Sequence, residues 1–268
     1  MAENTGSAAA SQTSAFKLTM QLAKNDFKTK YAGSYLGIIW AFIQPVVTIL
    51  VYWFVFSTVR SGSERQVPFV LWLIAGLIPW FFFSDSMNTG ANALVDYSYL
   101  VKKVVFRIEI LPGVKIVSAL FVHLFFIAVL IFLYAVMGYF PGLSVLQVFY
   151  YTFCVFVLVM CCSRLTCAVV VFFRDLTQII SICLQVGIWL TPIMWNFEDL
   201  HVGGTLRAIF TLNPMYYVVE GYRDAMITGV WFWEKPGLTI YYWSLCLVVG
   251  LLARSVFSKL RVHFADVL

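Results

Sequence analysis

Charged residues are scarce in this 268-residue chain: Asp, Glu, Lys and Arg make up 12% of it, against about 25% in an ordinary soluble domain. With 62% of residues hydrophobic, a soluble fold of this length could not cover its own apolar surface. Nucleic-acid binders, disordered chains and ordinary cytosolic enzymes are excluded, and a membrane protein remains. A phosphate-cradling loop is missing too, because no glycine is followed by lysine and GxxxxGK[ST] cannot occur. Neither HExxH nor GxSxG is present, and His123, His201 and His263 lie too far apart in sequence to suggest a metal site. Acids within apolar runs, the usual mark of a proton-coupled carrier, are nearly absent; Asp85 and Asp175 stand only at the edges of such runs. Cys154, Cys161, Cys162, Cys167, Cys183 and Cys246 lack any paired CxxC spacing and read as free thiols behaving as small hydrophobes. Residues 1–15 are polar and rich in small side chains, without the apolar core of a secretory signal.

What is present is a series of apolar runs. A spanning helix needs about 20 mostly apolar residues, and six segments qualify: 36–59, 68–87, 116–137, 145–173, 176–195 and 239–256. The cations between them are sided. Lys17, Lys24, Lys28, Lys30, Lys102, Lys103, Arg107, Lys115, Arg164, Arg174, Arg254, Lys259 and Arg261 fall on one side, and Arg60, Arg65, Arg207, Arg223 and Lys235 on the other. The positive-inside rule then places both termini in the cytoplasm. The expected fold is an all-α integral membrane protein with six transmembrane helices across residues 36–257 and a cytoplasmic tail at 258–268.

Three connecting segments carry their own signals. At 16–35, after the polar tail 1–15, Phe16, Met20, Ala23, Phe27 and Tyr31 recur at three- and four-residue steps, with lysines on much of the other side. That pattern predicts an amphipathic helix lying along the inner interface. The loop 88–110 sets Asp96, Tyr97, Tyr99, Lys102 and Lys103 among apolar anchors such as Leu94 and Leu100, a mixture suited either to docking in another protein's groove or to a solvated connecting helix. The external connection 196–236 contains two short apolar stretches broken at Asn213-Pro214, with Gly229 after the second. Asn as a cap, Pro at the first helical position and Gly past the end are helix punctuation. The segment reads as a re-entrant hairpin, with a helix lying on the membrane surface as the alternative.

Ordered motifs then add a family likeness. Asp26-Phe27-Lys28-Thr29-Lys30-Tyr31-Ala32-Gly33-Ser34-Tyr35-Leu36-Gly37 is followed by Trp40, Pro45, Pro68-Phe69, Gly76, Trp80-Phe81-Phe82 and Phe106 before Leu111-Pro112. Further on come Phe173-Arg174-Asp175, Thr191-Pro192-Ile193, Asn213-Pro214, Glu220-Gly221-Tyr222-Arg223 and Phe264-Ala265-Asp266. In this order around six spans, the chain resembles the permease subunits of ABC transporters that export polysaccharides. Val51-Tyr52-Trp53, Pro68-Phe69-Val70 and the Phe-Ala-Asp-Val-Leu ending are most similar to teichoic-acid exporters of Gram-positive bacteria, with permeases for lipid-linked O-antigen close behind.

The resemblance implies a bacterial cytoplasmic-membrane permease for a lipid-linked glycan. Two copies would form a channel along their interface, above two separate ATPase subunits that bind ATP and Mg. No cofactor is expected in this chain, no catalytic residue and no nucleic-acid partner. Asp96, Tyr97, Tyr99, Leu100, Lys102 and Lys103 would form the coupling segment. Asn213, Pro214, Glu220 and Arg223 would belong to the hairpin that closes the external mouth. Lys24, Lys28 and Lys30 could hold the pyrophosphate of a carrier lipid, although lipid anchoring needs the same residues. Aromatic residues make up 18% of the chain; Tyr134, Tyr150, Tyr151, Trp189 and Trp243 are candidates for stacking on sugars, with interfacial belts and packing as the alternative. Two other functions stay open. A membrane transferase acting on a lipid-linked sugar would need clustered catalytic groups at a boundary, and an exporter of drugs or small lipids would share the architecture.

Overall fold

The computed structural model describes residues 2–59, 67–102, 108–197 and 203–268. Among these the chain is built from helices and turns, in the order α1 (Ala2–Lys30), α2 (Trp40–Val59), α3 (Phe69–Ala91), α4 (Ala93–Asp96), α5 (Ser98–Val101), α6 (Leu111–Val136), α7 (Gln147–Val170), α8 (Leu176–Leu190), α9 (Gly204–Thr211), α10 (Pro214–Arg223), α11 (Pro236–Leu260) and α12 (Phe264–Val267). Five helical segments are long and apolar enough to cross a membrane: Gly37–Ser57, Phe69–Ala91, Ile108–Val136, Gly142–Val170 and Pro236–His263.

The span expected at 176–195 differs. Its helix, α8, stops at Leu190 after 15 residues, about 22 Å of rise against a hydrocarbon core of about 30 Å. Pro192 explains the stop: the residue before a proline is driven out of the helical region, and Thr191 is extended at φ −91°, ψ 130°. Other boundaries shift for similar local reasons. Helix α6 begins at Leu111 rather than 116, with Pro112 in its first turn, where a missing N–H costs nothing. Helix α3 continues to Ala91, which shortens the 88–110 connection and leaves it as the one-turn helices α4 and α5. The segment expected as a polar tail, residues 1–15, is helical from Ala2 and continuous with the interface helix, which ends at Lys30.

Helix α3 is the centre of the bundle, packed against α2, α6, α7, α8 and α10. Small residues let it approach its neighbours, the device that membrane helices use where no hydrophobic force favours association. At Gly90 an added Cβ would lie 2.8 Å from the Ser163 Cβ of α7. The main core joins α3, α6, α7 and α10. A second, smaller core lies at the end where α1 docks: Ala93, Leu94, Val101 and Leu111 pack with Cys167, Ala168 and Val171 of the α7 terminus and with Phe257 and Phe264. Helices α4 and α5 are therefore bound to the ends of α7 and α11. Helices α2 and α8 are the opposite case. Their outward faces, including Leu50, Val51, Phe54, Ile182, Val186 and Trp189, are exposed.

Candidate functional site: a polar cleft between α2, α3 and α8

Between α2, α3, α6 and α8 lies a cleft of about 750 Å³. Three of its walls repeat one feature. Gln44 and Thr48 on α2, Ser84 and Asn88 on α3, and Ser181 and Gln185 on α8 are polar pairs four residues apart. That spacing puts both members of each pair on one helix face. Helices α3 and α8 run antiparallel along it, since Ser181 Oγ donates to Asn88 Oδ1 at 3.0 Å while Gly187 lies against the Trp80 ring. Ser181 also reaches the Thr177 carbonyl at 3.0 Å, Thr48 Oγ1 the Gln44 carbonyl at 2.9 Å, and Asn88 Nδ2 the Ser84 carbonyl at 3.1 Å. Trp80, Phe81, Tyr52 and Trp189 supply aromatic surface between these groups.

Asp85 and Tyr31 line the end of the cleft nearest α1. Both Asp85 carboxylate oxygens accept from Lys30 Nζ, at 2.7 and 2.9 Å. Of the three lysines considered for a pyrophosphate, Lys30 is thus already paired, whereas Lys24 and Lys28 face outward from α1. Deeper in, His123 forms part of the cleft wall. Its Nε2 lies 2.9 Å from the Tyr222 hydroxyl, which also meets Thr152 Oγ1 at 2.6 Å. These bonds tie α6, α7 and α10 together behind the cleft.

On the α1 side a second ionic group links three elements. Lys115 Nζ lies 2.7 Å from Asp26 Oδ1 and 3.0 Å from Asp96 Oδ2. The Tyr97 hydroxyl donates to the same Asp26 oxygen at 2.8 Å. Burial and this carboxylate together raise the Tyr97 phenol well above its ordinary value. Of the other coupling candidates, Tyr99 and Lys102 are exposed and Leu100 packs against the smaller core, while Lys103 lies outside the described residues. Sequence reading missed Asp26 and Lys115. The signal was available, because Asp26 lies between Ala23 and Phe27 on the apolar stripe of α1, where an unpaired carboxylate would be costly.

The four hairpin residues come together at the break after α8. Asn213 Oδ1 accepts from the Met215 N–H at 3.0 Å and so caps α10, with Pro214 at the first helical position. Its Nδ2 donates to Thr191 Oγ1 at 2.8 Å. Arg223 is buried, pairs with Glu220 at 2.6 Å and donates to the carbonyls of Pro192 and Ile193, each at 2.7 Å. Its guanidinium lies 3.5 Å from the centroid of the Trp72 ring. One side chain therefore satisfies two carbonyls of the irregular segment that follows α8.

The aromatic candidates need correction. Of the five, Trp189 alone lines the cleft. Tyr134 and Tyr151 are 0% and 1% exposed, so neither can touch a passing molecule. Tyr134 donates to the Leu71 carbonyl at 3.2 Å, and Tyr151 packs on Gly221, where even a methyl group would overlap its ring. Tyr150 accepts from Trp243 Nε1 at 3.1 Å, lies 3.1 Å from the Tyr217 hydroxyl and stacks on Phe232. Buried phenols and indoles need polar partners; Tyr134 finds its partner on α3, and Tyr150 and Trp243 find each other between α7 and α11.

Residues 17–227 match the family described as ABC-2 type transporter. The chain belongs to that family. Among relatives of this ABC-2 chain, the O-antigen export system permease protein RfbA of Myxococcus xanthus is 26% identical over 249 residues, covering 93% of this chain and 94% of the relative. The protein of the same description from Klebsiella pneumoniae is 27% identical, with 94% and 95% covered. The polysialic acid transport protein KpsM of Escherichia coli is 24% identical, with 88% and 90% covered. The similarity to these exporters thus runs along nearly the whole ABC-2 chain.

Proposed function

We propose that the chain is the permease subunit of an exporter that moves a lipid-linked polysaccharide outward across the bacterial cytoplasmic membrane, driven by ATP hydrolysis on separate subunits. The observation that carries this reading is the cleft. It sets amides and hydroxyls beside flat aromatic surface, in a chain whose relatives are named for O-antigen and polysialic acid export. Sugars need both kinds of surface, hydrogen-bonding groups for their hydroxyls and rings for their C–H faces.

In this reading two copies face each other across α2 and α8, so that two clefts join into one passage. Both termini and the α4–α5 loop lie in the cytoplasm, where the ATPases dock against exposed Tyr99. Helix α8 followed by α9 and α10 forms a sixth, incomplete crossing with a re-entrant hairpin, held at its break by Arg223. The chain binds no nucleotide and catalyses no covalent step. Closure of the ATPase dimer pushes α4 and α5, the Asp26–Lys115–Asp96 group carries the push into α1, and the α2 and α8 faces of the two copies part.

Affinity purification from native membranes in mild detergent, with mass spectrometry and subunit stoichiometry, tests this assembly. A Walker-motif ATPase in a two-to-two complex is the expected result. A chain that purifies alone, under conditions that keep other membrane complexes intact, overturns it.

A further inference from the structure

We infer that the glycan passed by this permease has an uncharged backbone, with its negative charge confined to the lipid anchor. The inference rests on the export reading above and deepens it by naming the substrate class. Among the described residues, Asp85 is the only acid lining the cleft, its carboxylate is held by Lys30, and no lysine or arginine lines it. His123, the other titratable group in the inner wall, has its Nε2 engaged by the Tyr222 hydroxyl. Helices α2 and α8, which wall the cleft and keep uncovered outward faces, contain no charged residue along their whole length.

A polymer with a phosphate or carboxylate in every repeat would leave water for a narrow, partly apolar passage, where each charge needs a counter-charge. Pores that conduct anions and phosphates meet this need with rings of arginine or lysine. This cleft offers amides and hydroxyls instead. Gln44 and Gln185 each present two N–H donors and one carbonyl acceptor, Asn88 and Ser181 stand between them, and Trp80 and Trp189 supply flat rings. Such groups bind neutral polyols, whereas the repeated charges of a phosphodiester chain would find donors here without counter-charges. The outward-facing cations Lys24 and Lys28 lie on α1, outside the cleft. That placement suits one anionic group at the end of the cargo, carried at the membrane surface, rather than charges repeated along its length.

The test uses the permease purified with its ATPase and reconstituted in lipid, with two probes of matched length. One is a lipid-diphosphate-linked mannan, a neutral hexose polymer; the other is a lipid-diphosphate-linked poly(glycerol phosphate). Stimulation of ATP hydrolysis by the mannan at a half-maximal concentration about tenfold lower is the expected result. An equal or stronger response to the poly(glycerol phosphate) overturns the inference and leaves the export reading standing. A response to neither overturns both. Gln44→Leu with Gln185→Leu should raise the half-maximal mannan concentration, and an unchanged response removes the amides from recognition. Because that variant can only lose function, Gln185→Lys supplies the opposite test: it should strengthen the response to the poly(glycerol phosphate), and a variant that assembles but shows no gain counts against charge as the discriminating feature.

Discussion

Lys115 should be among the most sensitive positions in the chain, and the two carboxylates that it joins should not matter equally. Its ammonium lies 2.7 Å from Asp26 and 3.0 Å from Asp96, whose side chains are 8% and 47% exposed. Lys115→Met leaves Asp26 buried, with the Tyr97 hydroxyl still donating to it at 2.8 Å. Removing one member of a buried ion pair costs about 3–5 kcal/mol, whereas the half-exposed Asp96 contact is worth about 1 kcal/mol or less. Asp96→Asn should therefore be mild and Lys115→Met severe. The double variant Asp26→Asn with Lys115→Met should recover much of the loss, because no buried charge is then left without a partner. Thermal denaturation of the purified complex reads the stability, and glycan export per ATP hydrolysed reads the coupling between α1 and the α4–α5 loop. An Asp96→Asn variant as unstable as Lys115→Met, or a double variant no better than the single, would refute the assignment of the energy to the Asp26 pair.

Gly221→Ala forces a methyl group into the Tyr151 ring and should cost about 1–3 kcal/mol by overpacking; Tyr151→Leu in the same chain should restore part of the thermal stability. Arg223→Met strips partners from the Pro192 and Ile193 carbonyls and from Glu220. It should lower stability by about 3–5 kcal/mol, and limited proteolysis should find the α8–α10 region opened. Tyr99, 58% exposed, should tolerate Ala with a change in melting temperature too small to resolve, yet the variant should bind the ATPase subunit more weakly in a pull-down titration.

The helical membrane architecture was legible because it depends on long apolar runs, and these survive any detail of packing. The cap at Asn213-Pro214 and the Glu220–Arg223 pair were legible for a local reason, since both are punctuation and pairing within one short segment. Contacts across the fold were not. Asp26 and Lys115 are 89 residues apart, and nothing in either neighbourhood names the other. The aromatic candidates failed because abundance is not position: in a chain with 14 tyrosines neither count nor spacing separates Tyr134, inside the bundle, from Tyr52, at the cleft. The cleft left a fainter trace in the paired polar positions 44/48, 84/88 and 181/185 within apolar helices. Only folding shows that the three pairs face one space.

Helix α1 joins two ionic groups. Asp26 and Lys30 are four residues apart, one helical turn. Asp26 binds the α4–α5 loop through Tyr97 and the start of α6 through Lys115, whereas Lys30 binds Asp85 at the mouth of the cleft. A displacement of the loop by a docked ATPase would act on α1 through Asp26. Because Asp26 and Lys30 share one hydrogen-bonded turn, the strain would reach Lys30 with little loss, and the Lys30–Asp85 pair is the weaker of the two links because it is more exposed. The outcome favoured by this difference is that the inner clasp holds while the outer one opens. In the proposed exporter, that would free Asp85 and Lys30 at the end of the cleft where a lipid-linked anion arrives, and couple the nucleotide cycle to loading through the acid at the cleft's mouth.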